Sequence, residues 1–409
     1  MTLQDRLLSR RDNAIKDSEV PKYVGRLKGF LGHEALAKAQ ADLDKDLMHH
    51  GRCYRHWVQE LRPWLFAFRT YDQEIKKGAH IPNKWPTEIR EMVGDALKIS
   101  SLHHGMPEDV KAKYRKDLLT GQHNDFMVEI HAAWHYYLEG FDVRWYPLGH
   151  DKCPEFRVRG GGLDFDVECR RFTLDVSEHV KTTAMADTCD ALYEVMLARG
   201  LWGEVRVEFG DDFRFDPGRA RRWPSAVIAA LDANQTTVHL DQCVHLTVDL
   251  KPSPSPKYTL AELDALTLDQ QHPEKTWLLC RRGGELGLDP VILRCRGPRK
   301  TPIELRDYIY KTLKDKVDTQ LSPDRAGVVV VRFSGIRDPH VFKDSRGIHG
   351  ALAKLFERKH LAAVILKCEG IAETSATSIL YSTPSLVVRN AEAAFPQVAA
   401  ANHLSPKSI

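Results

Sequence analysis

The chain has 409 residues, of which 28% are charged and 43% hydrophobic, and its formal net charge is +3. That length accommodates two or three domains with cores of their own, and the balance of charged to apolar residues excludes global disorder. A charge so near zero also excludes a uniformly basic surface, so any contact with nucleic acid must be made by a local patch.

The opening residues Met1–Arg6 lack the apolar core of a signal peptide, and no stretch reaches the apolar length of a membrane-spanning helix. Eight cysteines (Cys53, Cys153, Cys169, Cys189, Cys243, Cys280, Cys295 and Cys368) include no C-x-x-C pair. This argues for reduced thiols rather than a disulfide scaffold or zinc ribbon. The expectation is a cytoplasmic protein with no membrane partner.

Residues 1–120 read as a helical N-terminal region: 34–48, 56–71 and 87–99 carry apolar residues at helical spacing. Met106-Pro107-Glu108-Asp109 marks a further helix start. A core is expected over 121–210, opening with a helix over 126–140 that Gly140 ends. Strands are predicted at 142–146, 155–159 and 163–170, the last two joined by a tight turn at Gly160-Gly161-Gly162. A helix over 176–199 and a strand over 204–209 follow.

Residues 211–300 read as an insertion or linker. They contain an alternating strand over 238–250, a proline-rich connector over 251–257, and a short helix capped by Thr259 with Glu262. The C-terminal α/β segment, 301–409, begins with Thr301-Pro302-Ile303-Glu304, a helix start, and continues with the stripe Leu305, Ile309, Leu313 and Val317. A buried strand over 328–333, a helix over 348–359 and a strand over 362–366 complete it.

The chemistry concentrates in Asp164-Phe165-Asp166-Val167-Glu168-Cys169-Arg170. Strand alternation puts Asp164, Asp166, Glu168 and Arg170 on one face, with Leu163, Phe165, Val167 and Cys169 on the core side. Three carboxylates on one face suit a hard cation; the plainer alternative is the solvated face of an edge strand. Glu155 opens the preceding strand, and a hairpin would carry it toward Glu168. Glu129 is the polar residue within the apolar run of the first core helix. His131 and His135 have the spacing of a zinc pair, with Cys153 nearby, but on an aromatic helix such histidines more often pack. No Walker A loop, G-x-G-x-x-G turn or G-x-S-x-G elbow is present.

Together these features resemble the PD-(D/E)XK nuclease superfamily, whose restriction-endonuclease-like core runs helix, three strands, helix, strand. That family carries an acid on the first helix, an acid at the start of the second strand, and (D/E)-x-K on the third. Glu129, Glu155 and Glu168-Cys169-Arg170 stand in those positions and in that order. The resemblance implies an α/β fold with an αβββαβ core, its sheet completed by the C-terminal segment.

It also implies Mg²⁺-dependent hydrolysis of phosphodiester bonds in DNA, with Mn²⁺ as a substitute. Glu155 and Glu168 would hold the metal directly and Glu129 through water, while Arg170 would contact the scissile phosphate or attacking water. Bacterial defence, repair and mobile-element processing are all compatible settings, and a homodimer is compatible too. Two residues depart from the pattern: Glu155 stands where Asp is usual, and Arg170 where lysine is usual. Arginine cannot act as a base, so Lys181 is a candidate for a displaced ammonium.

Arg214, Arg219, Arg221 and Arg222, beside Trp223, are candidate phosphate-binding cations with a stacking surface. Arg296, Arg299 and Lys300 form a second basic cluster. The alternatives are a nuclease-derived module that binds nucleic acid or protein without cutting, and a scaffold whose helical region is the working part.

Overall fold

The computed structural model describes residues 15–48, 50–77, 85–149, 153–172, 180–210, 213, 216–252, 275–283, 287–297, 302–334, 342, 345–368, 371–374, 379–382 and 385–404. The chain is α/β, and its contacts divide it into two units. One comprises 1–42, 59–176 and 301–409, the other 43–58 and 177–300.

The N-terminal region is helical as expected: Val20–Leu31, His33–Leu47, Arg52–Leu61, Pro63–Lys76, Thr87–Leu102 and Glu108–Asp117. The helix expected over 56–71 is two helices. Pro63 forces the break, because it cannot donate to the preceding turn and restricts the residue before it. Arg62 accordingly leaves the helical region (φ −128°, ψ 54°), and Pro63 opens the next helix.

In the first unit the His123–Leu138 helix leads into β1 (Asp142–Trp145), β2 (Phe156–Gly160) and β3 (Leu163–Phe172). Gly161 and Gly162 join β2 to β3 with φ of +57° and +78°, the mirror-image turn that matches strand twist and suits glycine at both positions. In the second unit β4 (Leu201–Phe209) follows the Thr182–Ala198 helix; β5 (Thr237–Asp241), β6 (Val244–Pro252), β7 (Lys275–Gly283) and β8 (Gly287–Arg296) come after it. The first unit resumes with the Pro302–Gln320 helix, β9 (Ala326–Phe333), the Arg346–Leu355 helix and β10 (Leu361–Lys367). Next come β11 (Ile371–Thr374) and β12 (Ile379–Ser382), which pair only with each other, and β13 (Ser385–Arg389).

The main sheet has the order β1-β2-β3-β9-β10-β13. β1, β2 and β3 are antiparallel, β3, β9 and β10 parallel, and β13 closes the edge antiparallel to β10. The C-terminal segment thus completes the sheet. Its neighbour on β3 is β9, preceded by the Pro302–Gln320 helix, whereas the helix and strand expected over 176–199 and 204–209 belong to the second unit.

One face of the sheet carries Phe165 and receives Tyr136 of the His123–Leu138 helix, ring centroids 5.4 Å apart. The other face packs Val329, Val331, Val364 and Leu366 against Ile309, Leu313 and Val317, the stripe seen in the sequence. β3 is internal to the sheet, which removes the edge-strand alternative, and helices pack over the middle of both its faces: Asp166 and Glu168 are 2% and 0% exposed, although Asp164 and Arg170 at its ends are exposed.

The second unit has its own sheet, β5-β6-β4-β8-β7, and its own core, to which Cys53, Cys189 and Cys295 contribute. The single strand expected over 238–250 is the β5–β6 hairpin. A two-residue connection leaves the alternation in phase, and neither Gln242 nor Cys243 is a residue that signals a turn. The proposed cap at Thr259 and Glu262, the connector residues 253–257, Thr301, Arg299 and Lys300 lie outside the described residues. Among the described residues no helix is long and apolar enough to cross a membrane.

Candidate active site

The site is built on the β2–β3 hairpin. Phe156, the first residue of β2, pairs with Val167, and Glu155, in the bend just before it, lies close enough to the next β3 residue, Glu168, for its charge to act on that carboxyl. Glu155 is anchored at the strand's start, its N–H donating to the Val167 carbonyl at 3.1 Å. Glu168 has no exposed surface, and neither of its carboxylate oxygens has a hydrogen-bond partner of ordinary geometry. The Lys316 ammonium, on the Pro302–Gln320 helix, lies 2.9 Å from Oε1.

Burial and the neighbouring Glu155 push the Glu168 carboxyl up to about 8, against the opposing pull of Lys316 and Arg170. Burial raises Glu155 too, opposed by Lys316, Lys113 and Arg170.

Arg170, two residues beyond Glu168 on the same face, is exposed. With Tyr308, Lys311, Thr312, Asp315 and Lys316 it lines an open cleft of about 400 Å³. Three cations against one acid make this cleft attractive to an anion.

Glu129 reaches the neighbourhood from the helix on the Phe165 face. It is buried and accepts a hydrogen bond from Tyr114, whose own oxygen accepts from Trp145 Nε1 at 3.0 Å. Burial, then the charges of Glu155 and Glu168, hold its carboxyl well above the usual range. The three acids therefore sense one another. However, among the described residues no three Asp, Glu, His or Cys side chains converge tightly enough to enclose a cation. Glu155 and Glu168 form the pair, and Glu129 stands behind it.

The other acids of β3 are engaged elsewhere. Asp166 accepts from Tyr146 Oη at 2.7 Å and Arg325 Nη1 at 3.0 Å, and Asp164 pairs with Arg157. His131 of the suggested zinc pair is 3.1 Å from Asp95. Lys181 is exposed and belongs to the second unit.

Lys316 was missed in the sequence, although a signal existed. Tyr308, Thr312 and Lys316 form an i, i+4, i+8 row directly beside the apolar stripe, where a long side chain reaches along the sheet instead of into solvent.

Among the basic candidates, Arg219 is exposed and 3.4 Å from Asp216, and Arg221 and Arg222 are exposed; Arg214 lies outside the described residues. Trp223 corrects the expectation of a stacking surface. It is 2% exposed, because the helix it opens turns it into the second unit's core. Trp223→Ala should therefore cost about 3–5 kcal/mol of that unit's stability, measured by chemical denaturation. Alanine at Arg219, Arg221 and Arg222 should instead leave stability within about 0.5 kcal/mol; if the three touch phosphate, it should also flatten the salt dependence of DNA binding.

Neither protein-family models nor the curated proteins give a match to this chain.

Proposed function

We propose that this chain is a divalent-metal-dependent nuclease acting on DNA. The observation that carries this reading is the closeness of Glu155 to the buried Glu168, which Lys316 backs on the sheet face that also presents Arg170 to a cationic cleft. The order of elements supports it. Leaving out 177–300, the first unit runs helix, three antiparallel strands, helix, and a strand parallel to the third, which is the order of the nuclease family the sequence resembles.

The donor set suits Mg²⁺ or Mn²⁺. Glu168 is buried with both oxygens lacking ordinary partners, and Mg²⁺ takes one or two carboxylates and completes its shell with water and substrate phosphate. When bound, such an ion neutralises phosphate charge and acidifies water. The chain's own residues do the rest. Arg170 and Lys311 would draw the phosphodiester into the cleft, and Arg170, always charged, would stabilise negative charge developing on phosphate oxygens. Lys316 opposes the rise in the Glu168 pKa and so favours the ionised form that a ligand role requires.

A second reading has an observation of its own: the Lys316 ammonium already stands 2.9 Å from Glu168, as a built-in cation would in a module that binds without cutting. Incubation with supercoiled plasmid and single-stranded DNA in Mg²⁺, Mn²⁺ or EDTA separates the two. Cutting that requires the metal supports the nuclease; retained binding with no cutting in any metal supports the module.

Arg170 gives a finer test. Arg170→Ala should lower cleavage by about tenfold or more with metal binding intact, and Arg170→Lys should keep it. An alanine variant as fast as wild type would make Arg170 a bystander and leave Lys316 as the site's cation.

A further inference from the structure

The opposite face of the main sheet holds charges that the cleft does not use. Register sets Arg171 of β3, Arg332 of β9 and Lys367 of β10 side by side. Adjacent strands are about 4.8 Å apart, so three cations stand in a row at the carboxyl ends of three parallel strands. Lys98, on the Thr87–Leu102 helix, adds a fourth positive field at Lys367.

Among the described residues, Asp95 and Asp125 are the acids recorded beside Lys98 and Arg171. Asp95 is taken by Lys98 at 2.8 Å and His131 at 3.1 Å, and Asp125, exposed, lies 3.5 Å from Arg171. Lys367 itself is 6% exposed. Among the described residues it has no hydrogen-bond or ion-pair partner; the groups acting on it are the Cys169 thiol, which favours its charge, and the cations Arg332 and Lys98, which oppose it.

A buried ammonium facing other cations is costly unless an anion compensates it. We propose that Lys367, Arg332 and Arg171 form a binding site for a phosphate-type oxyanion, at the carboxyl ends of β3, β9 and β10. Crevices outside the carboxyl ends of parallel strands are where open α/β sheets take ligands. The residues suit the role: two planar guanidinium forks and a point charge match the oxygens of a tetrahedral anion. The local potential agrees. Burial first, with Arg332 and Lys98 adding to it and Cys169 opposing, pushes Lys367 down to about 8. Burial first, with Lys98 and Arg332 contributing, pushes His131 down to about 3. The site is distinct from the Glu168 cleft, because Arg171 and Arg170 alternate to opposite faces of β3.

The test is thermal denaturation of the full chain in EDTA, with inorganic phosphate against KCl at matched ionic strength. Phosphate should raise the midpoint saturably, by about 5 °C at high excess. Lys367→Met should melt higher than wild type without phosphate, having lost an uncompensated charge, and should not respond to phosphate. Arg171 Nε donates to the Ser334 hydroxyl at 2.7 Å, and Arg171→Gln, a second variant whose amide can also donate, should need roughly tenfold more phosphate. Lys316→Met should respond like wild type.

A phosphate effect no larger than that of KCl overturns the site. So does a full response in Lys367→Met, or a response abolished by Lys316→Met, which would seat the anion in the cleft. A dinucleotide with and without a 5′-phosphate tells the two sources apart. Competition by the phosphorylated form alone assigns the site to a nucleic-acid terminus, and no competition by either assigns it to free phosphate.

Discussion

Glu168→Gln should lower metal-dependent DNA cleavage by roughly a thousandfold while leaving the folded protein intact at pH 7. The loss follows from removing the charge of a carboxylate that has no exposed surface and lies near Glu155. The fold should survive because the carboxyl, pushed up to about 8, is largely protonated at pH 7 without metal, and an amide has nearly the same shape. Lys316, which loses its partner, is 26% exposed and stays hydrated. Cleavage of supercoiled plasmid, read beside the melting midpoint, checks both halves. Glutamine activity within tenfold of wild type would remove Glu168 from the reaction.

The same carboxyl predicts an unusual dependence on pH. Unfolded, Glu168 releases its proton near the ordinary value of 4.5; folded, it keeps it to about 8. Between those values the folded state binds more protons, so its stability falls as pH rises, and the loss is complete above pH 8. His123 and His131, pushed down by burial to about 4 and 3, act in the other direction, but only below their unfolded value near 6.5. From pH 6.5 to 8 in EDTA, Glu168 alone should therefore cost about 2 kcal/mol.

Glu91, which burial raises to about 7, adds to this slope, so the informative comparison is with Glu168→Gln, whose curve should be flatter. Mg²⁺ requires ionised ligands, so its stabilising effect should grow over this range. A Mg²⁺ shift equal at pH 6.5 and pH 8 would show that the ion does not bind these carboxylates.

Much of the site was legible because it is local in sequence. Two glycines fix a turn, the turn fixes a register, and the register brings the start of β2, with Glu155 just before it, beside Glu168. The strand period could not tell whether that face was wet. Asp166 and Glu168 read as exposed because charged residues usually are, and their burial depends on β9 and the Pro302–Gln320 helix, more than a hundred residues away. Lys316 was hidden for the same reason. Trp223 misled because an aromatic beside arginines is equally compatible with a binding face and with the first buried turn of a helix. Pro63 could have been read: a proline inside a helical pattern marks a break.

The arrangement of the main sheet has a consequence for biosynthesis. β3 acquires its neighbour β9 only after the stretch between Phe172 and Ala326 has been made, roughly 10–30 s at about 5–20 residues per second. Throughout that interval one edge of β3 awaits its partner, and unpaired edges recruit strands from other chains. Charged residues pointing inward are a recognised defence, and Asp166 and Glu168 hold those positions. In the nascent protein they would be hydrated anions that deter premature pairing, and they become buried only when β9 and Lys316 arrive. Acids buried in the finished protein would thus also guard the unfinished one, and exchanging Glu168 for leucine should increase aggregation during synthesis even if the completed sheet tolerates the change.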